Sequence, residues 1–144
     1  MEKESKGMQE NIVLLQLLEK HLEELKQQGA LLENKFIELE TTKQITEDMK
    51  KMKDSQDVMI PLGSGIYSYG KIADTEKVMV ELGAGVVLNK TLSEATRFIE
   101  EKEKEIEKLS NQLNQEMTEV VEKINQIMSE IQESQKESGS VVES

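Results

Sequence analysis

Cysteine and tryptophan are absent, proline occurs once, and aromatic residues make up 3% of the 144 residues. Without cysteine there is no disulfide and no thiol chemistry, which fits a reducing compartment. With so few large apolar side chains a thick core cannot be filled, so the chain is expected to fold as thin, extended layers. Basic residues are also scarce: 18 Lys and Arg stand against 29 Asp and Glu, for a net charge of −11 and a pI near 4.7. Such a surface repels phosphate backbones and anionic bilayers, and no local basic patch offsets it, so neither nucleic acid nor a membrane is expected as a partner. No apolar run approaches the roughly 20 residues of a membrane span. The opening residues MEKESKG do not read as a signal peptide. The expectation is a cytoplasmic protein made of one domain, residues 1–144.

What is present is charge and helical periodicity. A third of the residues are charged. Across residues 8–53 apolar residues recur at threes and fours: Leu15, Leu18, Leu22, Leu25, Leu32, Phe36, Leu39, with Gly29 as the smallest seam residue. Glu, Lys, Gln and Leu are good helix formers, and no proline interrupts them. At about 1.5 Å rise per residue this first helix spans roughly 70 Å. A helix that long and that polar needs a partner. A second stripe over residues 92–136 supplies one, through Ile99, Ile106, Leu109, Leu113, Met117, Val120, Ile124, Ile127 and Ile131. Thr91-Leu92-Ser93-Glu94 has the capping-box form that opens such a helix. Residues 1–7 and the Ser/Glu-rich 137–144 read as disordered tails.

If the two helices run antiparallel, facing residue numbers total roughly 145 by that geometry. Leu39 then faces Ile106, Leu25 faces Val120 and Leu18 faces Ile127, while Gly29 meets Met117. Thr42 and Lys43 meet Lys102 and Glu103, a polar layer against a polar layer. Two stripes sharing a register and a defect favour an intramolecular antiparallel coiled coil. The run EEKEKEIEK at 100–108 reads as a solvated helix face, with pairs such as Glu100–Lys104.

Between the helices, residues 58–90 change character. Val58–Leu62 and Ile66–Ile72 flank Gly63-Ser64-Gly65, and Val78–Leu82 and Val86–Leu88 flank Gly83-Ala84-Gly85. These are two β-hairpins, with Pro61 marking an edge because it donates nothing to a ladder. Hairpins of this size are marginal alone in water, and their open edges invite strands from another chain. Assembly is therefore expected through Val58, Ile60, Leu62, Ile66, Tyr67, Tyr69, Ile72, Val78, Val80, Leu82, Val86 and Leu88. The fold class is mainly α with a small β region: a long antiparallel coiled-coil hairpin with two β-hairpins at the connection.

No catalytic constellation is legible, and no cofactor or metal is expected. Gly65 to Lys71 matches GxxxxGK, yet Ile72 stands where a P-loop needs Ser or Thr for Mg²⁺, and the interior is bulky and β-prone. A strand with a glycine for packing explains it better. His21 is the single histidine and reads as a surface residue beside Leu22. The carboxylates fall on rod faces with no pocket to raise a pKa.

The informative excess is at the N-terminal tip. In Ile12-Val13-Leu14-Leu15-Gln16-Leu17-Leu18 six of seven residues are apolar, while a coiled-coil seam needs only two per heptad. Val13, Leu14 and Leu17 lie off the seam, and Ile12 would face Glu133 or Ser134. Together with Ile127, Met128 and Ile131 at the facing tip, they form a candidate surface for a partner protein. A wider stripe or packing against a neighbouring subunit is the alternative explanation.

The block IPLGSGIYSYGKIADTEKVMVELGAGVVLNKTLSEATRFIEEK, residues 60–102, resembles the alpha-class subunits of prefoldin of archaeal type. The resemblance rests on Pro61 to Gly65, Tyr67, Gly70-Lys71-Ile72, the Val78–Leu82 strand, Gly83-Ala84-Gly85 and Glu94-Ala95. The flanking helices resemble the family in length and pattern. The resemblance implies an ATP-independent chaperone of the holdase kind. Two alpha-class subunits would dimerise through their hairpins and join four beta-class subunits in a hexamer. Unfolded client proteins would be gripped at the coiled-coil tips and delivered to a group II chaperonin. The competing reading is a structural or tethering coiled-coil subunit that binds one folded partner.

Overall fold

The computed structural model describes residues 2–142, and side chains within 6–137. The elements are α1 (Glu2–Met49), β1 (Asp57–Gly63), β2 (Ile66–Lys71), β3 (Lys77–Gly83), β4 (Val86–Thr91) and α2 (Leu92–Val142). Two long helices thus enclose two small antiparallel hairpins in the chain order, the mainly α architecture expected. Contacts divide the chain into two compact units, Met1–Asn34 with Glu107–Ser144, and Lys35–Ile106.

The helices are longer at the outer ends than the sequence suggests. Residues 2–7 and 137–142, expected as disordered tails, are helical, and no proline interrupts either stretch. Met1, Glu143 and Ser144 of those expected tails lie outside the described residues. At its other end α1 stops at Met49 rather than residue 53. There the amides of Lys50, Lys51 and Met52 reach back three residues to Glu47, Asp48 and Met49, the tight winding that closes a helix end.

Burial on α2 follows a heptad series, with Ala95, Thr96 and Ile124 buried beside it. Leu92, Ile99, Ile106, Leu113, Val120 and Ile127 fall at every seventh position, and all are buried. On α1 the corresponding series is Leu18, Leu25, Leu32, Leu39 and Thr46, in which Leu25, Leu39 and Thr46 are buried. In the first unit Leu25, Leu113, Val120 and Ile124 form one buried cluster, flanked by Leu15, Leu18, Leu22, Leu32 and Met117. Gly29 does not meet Met117. It lies against Leu113, one helical turn earlier, since a Cβ on it would fall 3.3 Å from Leu113 Cδ2. Missing a side chain, residue 29 lets the opposite helix approach at that layer. His21 Nε2 reaches Glu116 Oε1 at 3.2 Å across the same seam.

In the second unit the seam carries polar residues. Lys43 Nζ lies 3.5 Å from Glu100 Oε1, so the expected polar layer exists, with Glu100 rather than Lys102 opposite Lys43. Lys102 instead sits 4.6 Å above the Phe98 ring. The segment 100–108 is therefore not wholly a solvated face: Ile106 is buried, and Glu103 Oε1 is shut off from solvent. Thr46 and Thr96 are buried and satisfy their hydroxyls within their own helices, on Thr42 and Leu92 carbonyls. At the start of α2 the Glu94 amide donates to Thr91 Oγ1 at 3.2 Å, the forward half of the expected cap. Glu94 itself lies 3.8 Å from Lys90 Nζ.

The two hairpins are repeats of one unit. Every pairing in β1–β2, from Asp57↔Lys71 to Gly63↔Ile66, recurs in β3–β4 twenty residues later, from Lys77↔Thr91 to Gly83↔Val86. Each ladder has a register shift just before its turn. Each turn has three consecutive positive φ angles: 113°, 52° and 79° at Gly63, Ser64 and Gly65, and 107°, 52° and 77° at Gly83, Ala84 and Gly85. A two-residue loop with both φ positive matches the right-handed twist of the strands. Gly70 does serve packing: a Cβ there would fall 2.5 Å from Ile60 Cδ1, so the Ile60 side chain occupies the space the glycine leaves. The hairpins are anchored to their flanks by backbone bonds, Ser55 N to Ile72 O, Ile72 N to Gln56 O and Leu92 N to Glu76 O.

Candidate functional site

At the tip, α1 is apolar on the side away from its seam. Val13, Leu14 and Leu17 are 55%, 45% and 60% exposed, and Ile12 is also exposed. Val13, Leu14 and Leu17 line a shallow cleft of about 410 Å³ whose polar border is Lys6, Gln9 and Glu10. Helix periodicity puts residues 10, 13, 14 and 17 on neighbouring turns of one face, which is why a cleft forms on a single helix. On α2 the expected tip residues divide. Met128 is exposed, Ile131 is half-buried and Ile127 is 8% exposed. Ile127 is one of the seventh-position seam residues, so it joins the helices and leaves no surface for another protein. Apolar surface with no seam duty therefore comes from Ile12, Val13, Leu14, Leu17 and Met128.

In the hairpins the expected assembly residues are set out by strand alternation. Val58, Ile60 and Leu62 share one face of β1, and Val78, Val80 and Leu82 share the equivalent face of β3. Ile60, Leu62, Ile66, Tyr67, Leu82, Val86 and Leu88 are exposed, Tyr69 is 92% exposed, and Val58, Ile72, Val78 and Val80 are half-buried. The opposite faces are apolar as well. Met59 pairs with Tyr69 and Pro61 with Tyr67 on the first hairpin, and Met79 and Val87 are exposed on the second. Met59, Met79 and Val87 were legible only as the alternate positions of the same strands. Two-stranded sheets with apolar groups on both faces need covering from elsewhere.

Nothing resembling a phosphate cradle forms around residues 65–71: Ile66–Lys71 is a strand, and the next element is β3 rather than a helix. Among the described residues no group of three His, Cys, Asp or Glu side chains is placed to hold a metal. No helix among them is long and apolar enough to cross a membrane.

Two long helices joined through two separate hairpins, with apolar residues left exposed on both kinds of element, define a coiled-coil subunit architecture. The prefoldin subunit family model matches residues 18–137. The chain belongs to the prefoldin subunit family, a family of non-enzymatic chaperones. Its fold is similar to a chain of the filamentous PFD from Methanocaldococcus jannaschii solved by cryo-electron microscopy, with a TM-score of 0.73 and 21% identity, covering 81% of this chain and 97% of that one. No curated protein sequence matches.

Proposed function

We propose that this subunit is of the alpha class and acts in an ATP-independent holdase of the cytoplasm. It assembles through its hairpins with a second copy and four beta-class subunits, grips unfolded client proteins at the coiled-coil tips, and passes them to a group II chaperonin. The observation that carries this reading is the exposed apolar surface of Val13, Leu14 and Leu17 on the side of α1 away from its seam. Many weak apolar contacts bind and release reversibly without hydrolysis, and several tips acting together raise avidity above any single site. Two hairpins in one chain support the alpha class. The test is light scattering of an aggregating client without ATP: the assembled complex suppresses aggregation as a holdase, whereas a tether for one folded partner leaves the client's aggregation unchanged.

A second reading is self-assembly into an open filament, the state named for the Methanocaldococcus jannaschii protein. The twenty-residue repeat favours it, because two near-equivalent hairpins can dock head to tail without closing. Native mass measurement separates the two, a fixed hexamer mass against a concentration-dependent ladder.

A further inference from the structure

Assembly and client capture leave the charged layer of the α1–α2 seam unused. Glu103 lies between the buried seam residues Ile99 and Ile106, and its Oε1 is closed off from solvent without a hydrogen-bond partner. The charged groups facing it are Glu40 and Lys43 from α1 and Glu100 one turn earlier on α2. The ammonium of Lys43 is engaged by Glu100 at 3.5 Å. The Glu40 carboxyl is within hydrogen-bonding reach of Glu103, but two ionised carboxylates offer only acceptors to one another. One cation therefore faces three carboxyl groups in a partly dehydrated seam. A single proton removes one negative charge and supplies the donor that Oε1 lacks.

We propose that the Glu103 carboxyl keeps its proton and donates it toward Glu40 across the seam, making this layer a proton-linked clasp between the two helices. Burial first, then the Glu40 carboxyl and Glu100, outweigh Lys43 and hold the Glu103 carboxyl above the ordinary carboxylate range. Lys43 is pulled down by burial, but Glu103, Glu100 and Glu40 together hold it above its ordinary value, so it remains charged. The folded chain thus keeps a proton at pH values where the unfolded chain has released it. Stability falls as pH rises from the ordinary glutamate range through the raised folded value, and returns on acidification over the same window.

Glu103→Gln keeps the shape, donates an N–H to Glu40 and does not titrate. Thermal unfolding of the full chain at pH 8 should show E103Q melting roughly 2–4 °C above wild type, with the gap narrowing at pH 5.5. A gap independent of pH, or E103Q melting below wild type at pH 8, overturns the proposal, since either means an ionised Glu103 already satisfied by Lys43. Carbon-13 NMR of the glutamate side-chain carboxyls gives a second readout without any change to Glu103. Its carboxyl should titrate above the exposed glutamates and move toward them in E40Q. Titration together with the exposed glutamates in the wild-type chain overturns the proton retained on Glu103.

Discussion

Gly29 lies against Leu113 so closely that a methyl group at residue 29 would stand 3.3 Å from Leu113 Cδ2. Two effects oppose each other at this layer. Alanine gains about 1 kcal/mol of helix propensity over glycine, while the contact asks the flexible end of Leu113 to give by a few tenths of an ångström. Propensity wins for a single methyl. Gly29→Ala should leave thermal stability equal or slightly raised by circular dichroism, whereas Gly29→Leu should cost roughly 1–3 kcal/mol through overpacking.

The hairpin turns carry a similar contrast within two adjacent residues. Ala84 is held at φ 52° and Gly85 at φ 77°, and left-handed backbone costs an L-residue about 1–2 kcal/mol. Ala84→Gly should therefore slow amide hydrogen exchange in β3 and β4, a gain of about 0.5–1 kcal/mol after glycine's own entropy cost. Gly85→Val should speed that exchange and weaken the hairpin by roughly 1–3 kcal/mol.

Tip and seam residues of like chemistry should separate by what they damage. Ile127 is buried at a seventh-position seam site and Leu17 is 60% exposed. Ile127→Ser should lower unfolding stability by about 3 kcal/mol, the scale of emptying a packed apolar site. Leu17→Ser should change it by no more than about 0.5 kcal/mol, while reducing client protection in a light-scattering assay.

Much of the fold was legible because it depends on local rules. The 3–4 spacing of apolar residues marks both helices, Thr91 and Glu94 mark where α2 begins, and glycine-centred turns mark both hairpins. The register was less legible. Heptads repeat, so placing Gly29 against Met117 or Leu113 keeps leucines and isoleucines facing each other, and only packing of the whole seam selects Leu113. Glu103 falls both in the charged run 100–108 and in the polar layer opposite Thr42 and Lys43, and only the heptad frame decides that its Oε1 is closed off from solvent. At the tip, Val13, Leu14 and Leu17 could be placed off the seam from spacing alone. Ile127 carries both expectations, seam and tip surface, and its burial decides for the seam that periodicity assigns it.

The central claim is that client chains contact the exposed apolar face at the N-terminal end of α1. Photo-crosslinking residues introduced singly at Leu17 and at Ile37, which are 60% and 55% exposed, test it with matched accessibility. The assembled complex is mixed with a denatured client and irradiated. Client adducts formed from position 17 and few or none from position 37 are the predicted result. Equal adducts from both positions, or none from position 17, would contradict it.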